Sequence, residues 1–213
     1  MSDRVRIPEE EYFERIRKAS KLVQEAGLDV LISNCTEADY SFVRYFTNYW
    51  PLFETAGVAI APNGKAALMV GPESSKYAAD RSVLKDIFTL LEYRESADPA
   101  YPQAKVSTYK DVLSYLGVHG RKLRIGVAGY LVTNPIQLEG LRACFPDAEI
   151  IRNEDIVRSL RMIKSPNELA CMQRGFDIVK KATEAVMAEI RPGVTELQMV
   201  GVAQKCIYEH GAE

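Results

Sequence analysis

Two hydrophobic periods alternate along the chain. Tyr12, Ile16, Ala19, Val23 and Ala26 recur every three or four positions, which predicts an amphipathic helix. Pro8 opens it, Glu9, Glu10 and Glu11 place negative charge where the helix dipole favours it, and Gly27 supplies a left-handed stop. Leu28-Asp29-Val30-Leu31-Ile32 then reads as a mostly buried strand, and a second helix is predicted over about residues 37–46. Gly57–Ala61 and Ala66–Val70 flank Pro62-Asn63-Gly64, the signature of a hairpin. Gly71-Pro72-Glu73-Ser74 opens another helix, Ile87–Leu91 is a strand, and Glu95 to Gln103, with Pro99 and Pro102, is a loop. A helix near Ser107–Leu116, a strand at Arg124–Ala128, a helix from Asn134-Pro135 to about Cys144 and a strand at Ala148–Ile151 complete the series. Strands alternating with helices, plus one hairpin, give an α/β fold: a mixed sheet flanked by helices.

The last fifty residues or so read differently. Asn153-Glu154-Asp155 starts a short helix, and Arg161-Met162-Ile163-Lys164-Ser165 leads into a long one. Ser165 can cap that helix, with Pro166 at its first position and Glu168 returning the capping-box hydrogen bond. Pro192-Gly193 ends it, and Thr195 with Gln198 caps the next. Leu169, Met172, Phe176, Val179, Ala182, Val186 and Ile190 line one face of the first helix; Leu197, Val200, Ala203 and Ile207 line one face of the second. No strand follows to cover either face, so the chain is expected to open a second domain without finishing it. The expected division is 1–155 and 156–213, with no Gly/Ser linker between the two parts.

Composition narrows the function. An apolar content of 47%, a charged content of 26% and a net charge of −2 describe a soluble globular protein. They provide no basic footprint for nucleic acid and no polybasic membrane anchor. No apolar run has the length of a membrane span or the form of a signal peptide. Cys35, Cys144, Cys171 and Cys206 lack paired spacing and read as free thiols in a reducing cytosol, so a cytoplasmic location is expected.

Candidate chemistry is sparse. His119, in a Gly-Val-His-Gly turn, reads as an exposed loop imidazole, and His210 as a cation at a helix end. Gly126-Val127-Ala128-Gly129 gives G-x-x-G and not the dinucleotide-binding fingerprint. The richest surface runs from Tyr40 to Phe53, where seven of the nineteen aromatics fall. Asn48-Tyr49-Trp50-Pro51-Leu52-Phe53-Glu54 carries loop chemistry, which predicts several large rings held in an exposed loop. Such rings either wall a ligand pocket, anchor an interface or are buried within the domain.

Leu160-Arg161, Ile163-Lys164-Ser165, Glu168, Arg191-Pro192-Gly193, Thr195-Glu196 and Gly211-Ala212-Glu213 together resemble the start of the metallopeptidase domain of the creatinase/prolidase/Xaa-Pro aminopeptidase family. The upstream residues are similar to that family's amino-terminal α/β domain, and Tyr45-Phe46-Thr47-Asn48-Tyr49 resembles its Y-L-T-G-F motif with Asn48 in place of glycine. The resemblance implies that residues 156–213 begin an α+β pita-bread domain, here incomplete. It implies a homodimeric hydrolase that cleaves the bond before proline in small peptides, using two divalent metal ions (manganese, cobalt or zinc). The metal ligands of the family would all lie outside this chain, which alone would bind no cofactor and be inactive. Tyr49, Trp50 and Phe53 would line the partner subunit's pocket, with Glu54 meeting a charged substrate end. A creatinase-like amidinohydrolase and a non-catalytic peptide- or protein-binding module are the alternatives.

Overall fold

The computed structural model describes residues 5–95 and 101–212; residues 96–100 of the expected loop and Glu213 of the terminal Gly-Ala-Glu lie outside the described residues. Two compact units are present, one formed by residues 9–163 and the other by residues 164–213 with the segment ahead of residue 9.

The larger unit contains α1 (Glu9–Glu25), β1 (Val30–Thr36), α2 (Ser41–Thr47), β2 (Thr55–Ile60), β3 (Ala66–Val70), α3 (Ser75–Arg81), β4 (Ile87–Thr89), α4 (Tyr109–Leu116), β5 (Arg124–Ala128), α5 (Pro135–Cys144), β6 (Glu149–Arg152) and α6 (Asp155–Met162). The strands form one mixed sheet, as the hydrophobic pattern predicts, and the structure orders them β4-β3-β2-β1-β5-β6. Only β2 runs against the rest, because the hairpin reverses the chain between β2 and β3. The carboxyl ends of β1, β3, β4, β5 and β6 therefore share one edge of the sheet.

Strand alternation sends side chains to two cores. Leu31, Cys35, Val58, Ile60, Leu68 and Val70 pack with Ile16, Val23, Phe46 and Val157 on one face. Val30, Ile32, Met69, Ile125 and Val127 pack with Val112, Leu113, Leu116 and Leu141 on the other. A helix–sheet–helix sandwich results.

β1 is longer than its apolar run. Ser33 and Asn34 are buried but not left unsatisfied: Ser33 Oγ donates to the Phe42 carbonyl at 3.1 Å and Asn34 Nδ2 to Thr133 Oγ1 at 3.0 Å. Pairing continues to Thr36 opposite Thr55, so α2 starts later than the periodicity suggests, after a turn in which Thr36 Oγ1 accepts from the Asp39 amide. The apolar count misses such residues because a hydrogen-bonded side chain can be buried at modest cost.

In the smaller unit, α7 (Pro166–Glu189) and α8 (Glu196–Glu209) carry the two expected capping boxes, at Ser165/Glu168 and Thr195/Gln198. The two helices pack on each other. Much of the apolar pattern nonetheless faces water: Phe176 is 66% and Leu197 79% exposed, and Leu169, Val179 and Val200 are also exposed.

Candidate functional site

The aromatic loop is built outward from the end of α2. Asn48 adopts φ 58°, the only left-handed non-glycine among the described residues, and its amide donates to the Arg44 carbonyl at 2.9 Å. Its short polar side chain tolerates that conformation, and Oδ1 accepts from Tyr12 Oη at 3.0 Å. Thr47 Oγ1 donates to the Val43 carbonyl and accepts from the Tyr49 amide at 3.0 Å. The chain is thereby turned out of the helix and toward β2.

Of the four residues expected to face a substrate, Tyr49 and Glu54 are buried. Tyr49 Oη donates to Glu54 Oε1 at 2.8 Å, Ser74 Oγ donates to the same oxygen, and the Phe53 amide donates to Oε2 at 3.2 Å. Burial, and then the adjacent Glu54 carboxylate, pushes the Tyr49 hydroxyl well above the ordinary phenol value. Its ring meets Tyr77 edge-on at 5.7 Å. These two residues clasp the base of the loop, and both fix its shape from inside.

Trp50 is half-buried. Its ring lies 4.2 Å from the Arg44 guanidinium carbon and 6.4 Å from the Tyr40 ring. The guanidinium also lies 5.5 Å from the Tyr40 ring. Arg44 has no carboxylate partner among the described residues, so the stack presents a cation held in place by two rings. The tip of the loop is apolar: Leu52 and Phe53 are each 57% exposed. Sequence reasoning assigned the charge to Glu54 and passed over Arg44. The available signal was a cation four residues after Tyr40 within an aromatic cluster, a spacing that puts both on one helix face.

Behind the loop, the carboxyl edge of the sheet carries a second network that sequence reasoning did not anticipate. Gln137 Nε2 donates to Thr55 Oγ1 at 3.0 Å, Tyr93 Oη to Asn34 Oδ1 at 2.9 Å, and Tyr109 Oη to Tyr93 Oη at 3.2 Å. Gly57 makes this possible, because a Cβ there would come within 2.5 Å of Tyr93 Oη and 2.8 Å of Asn34 Oδ1. Leu131 and Ile136, on the segment bearing Thr133 and Gln137, are exposed.

His210 Nδ1 lies 2.9 Å from the Cys206 carbonyl, and His119 lines a surface cleft. Among the described residues no three or more His, Cys, Asp or Glu side chains are arranged to hold a metal ion. The donor set for the two ions implied by the family resemblance does not fit these residues. None of the described helices is long and apolar enough to cross a membrane.

Comparison with known proteins places this architecture. "Uncharacterized peptidase YqhT" of Bacillus subtilis (strain 168) is 23% identical over 200 residues, which cover 93% of this chain and 50% of that protein. The X-Pro aminopeptidase from Thermotoga maritima MSB8 has a similar fold, with a TM-score of 0.68 at 20% identity over 94% of this chain and 50% of that one. The prolidase from Pyrococcus horikoshii OT3 gives a TM-score of 0.65 at 19% identity over the same shares, 94% and 50%. The chain thus spans about half the length of the relatives it matches. The model of the Creatinase/Prolidase N-terminal domain matches residues 15–163, most of the larger unit, and the chain belongs to that family.

Proposed function

We propose that these residues serve as the amino-terminal, dimerising and substrate-gating part of a metal-dependent hydrolase of the Xaa-Pro dipeptidase or aminopeptidase kind. Residues 1–155 supply the α/β domain, and residues 156–213 begin the pita-bread domain whose further residues hold two divalent ions. The observation that carries this reading is the pairing of an exposed apolar loop tip at Leu52 and Phe53 with a rigid base at Tyr49 and Glu54. A surface loop of that construction can hold two large side chains in water at little cost in mobility, which suits a part that closes over a partner subunit's pocket.

In this role Phe53 and Trp50 supply apolar walls, and Tyr49 and Glu54 act through them by fixing the loop. Arg44 makes the loop's accessible charge positive, which suits the free carboxylate of a short peptide better than its amine. Leu131 and Ile136 extend the apolar surface available for dimer contact. The exposed apolar faces of α7 and α8 suit further protein of the same hydrolase, since contiguous exposed apolar stripes commonly mark an interface.

Two measurements on the complete hydrolase test the reading. Phe53→Ala should raise KM for Xaa-Pro dipeptides and weaken dimerisation in sedimentation equilibrium while Tm stays constant. Unchanged KM and unchanged association would remove the loop from both roles. Activity on creatine in place of Xaa-Pro peptides would move the protein to the amidinohydrolase class.

A further inference from the structure

The larger unit has a cleft of about 510 Å³ at the end of the sheet opposite the aromatic loop. It lies beside the amino end of β5, whereas Thr55 pairs with Thr36 at the carboxyl end of β1. Its lining combines Leu113, Val118 and Phe145 with Lys110, His119 and Arg121. None of those three basic side chains has a hydrogen-bonding or ionic partner among the described residues, and the chain as a whole is net acidic. Asp147 is the one carboxylate on the lining. Apolar walls with unpaired bases grouped on one concavity are the ordinary composition of a small-molecule site, and the volume lies within the roughly 300–1,000 Å³ such sites occupy.

We propose that this cleft binds a small organic anion, an apolar or aromatic body carrying a carboxylate or phosphate head. Phe145, Val118 and Pro146, which also lines the cleft, take the body, and Lys110, Arg121 and His119 face the head. The body supplies most of the affinity through buried area, and the bases select the charge. An inorganic ion alone leaves the apolar walls wet, and a neutral aromatic leaves the cations uncompensated, so each half of the ligand is required. The site is separate from the aromatic loop and does not depend on the role assigned to that loop.

Cys144 provides a reporter, because it lines the cleft and is partly exposed, whereas Cys171 and Cys206 lie in the other unit and Cys35 is buried. Iodoacetamide labelling of the chain is followed by peptide mass spectrometry in the presence of 1-naphthoate, adenosine monophosphate, inorganic phosphate or 1-naphthalenemethanol. At saturation, 1-naphthoate or the nucleotide should slow Cys144 alkylation several-fold while leaving Cys171 and Cys206 unchanged; whichever protects better identifies the head as carboxylate or phosphate. Lys110→Ala with Arg121→Ala, both at exposed positions, should weaken that protection about tenfold without lowering Tm. Equal protection by 1-naphthalenemethanol would overturn the charge requirement, and equal protection by phosphate would overturn the apolar one. No protection by either organic anion, or protection unchanged in the double variant, would overturn the site.

Discussion

Removing one oxygen atom tests the construction of the aromatic loop. Tyr49→Phe keeps the ring that meets Tyr77 and deletes only the hydroxyl that donates to Glu54 at 2.8 Å. The buried carboxylate then keeps Ser74 and the Phe53 amide as donors. A hydrogen bond to a carboxylate contributes about 1.5–3 kcal/mol, and because Ser74 still serves the same oxygen a loss of about 2 kcal/mol is expected. In a domain of this size that corresponds to a fall in Tm of roughly 4–8 °C. Trp50 is the only tryptophan and lies inside the clasped segment, so its fluorescence reports the loop while far-UV circular dichroism reports the fold. In urea, the Trp50 signal of the variant should move ahead of the dichroism signal; in the parent the two should coincide. Combining Tyr49→Phe with Glu54→Gln should cost less than the sum of the single changes, by more than about 0.5 kcal/mol. Additive losses, or a Tyr49→Phe cost below about 0.5 kcal/mol, would refute the view of these residues as a clasp.

The remaining predictions concern the framework. Asn48→Gly should cost about 1 kcal/mol, because glycine accepts φ 58° freely and only the hydrogen bond from Tyr12 Oη is lost. Asn48→Val loses that bond and adds backbone strain of about 1–2 kcal/mol or more, read by thermal melts. Gly57→Ala should destabilise by about 1–3 kcal/mol, since the added methyl meets Tyr93 and Asn34; a neutral result would mean that the network shifts freely. Burial pushes the hydroxyls of Tyr49, Tyr93 and Tyr109 upward from the ordinary value of 10.0. Their folded values exceed their unfolded ones, so this stability is complete below pH 10 and is lost as pH rises beyond it, when only the unfolded state releases protons. Urea midpoints should therefore fall steadily above that pH, and Tyr49→Phe should flatten the slope; a midpoint independent of alkaline pH would contradict the assigned burial.

Most of the architecture was legible in local signals. Helix spacing from Tyr12 to Ala26, the Pro62-Asn63-Gly64 turn and the capping boxes at Ser165 and Thr195 each depend on neighbours within a few residues, so a one-dimensional reading suffices for them. The turn at Asn48 was legible only through the resemblance to the Y-L-T-G-F motif, because asparagine accepts the left-handed conformation that the motif's glycine would take. The sequence by itself thus determined which helices and strands form and which faces are apolar, while the ends of β1, α2 and β4 were set by pairing and hydrogen bonds. It also located the aromatic loop between α2 and β2. Tertiary structure alone decided which of those aromatics meet water. Tyr49 and Phe53 are alike in composition terms, yet one is clasped to Glu54 and the other is open, because Ser74, twenty residues beyond Glu54, arrives to complete the carboxylate's partners. The strand order, the buried Asn34–Tyr93–Tyr109 chain and the grouping of Lys110, His119 and Arg121 on one cleft likewise follow from pairings between distant segments. Hydrogen bonding and burial act through space, and a pattern read along the chain carries period and propensity but not the distance between remote residues.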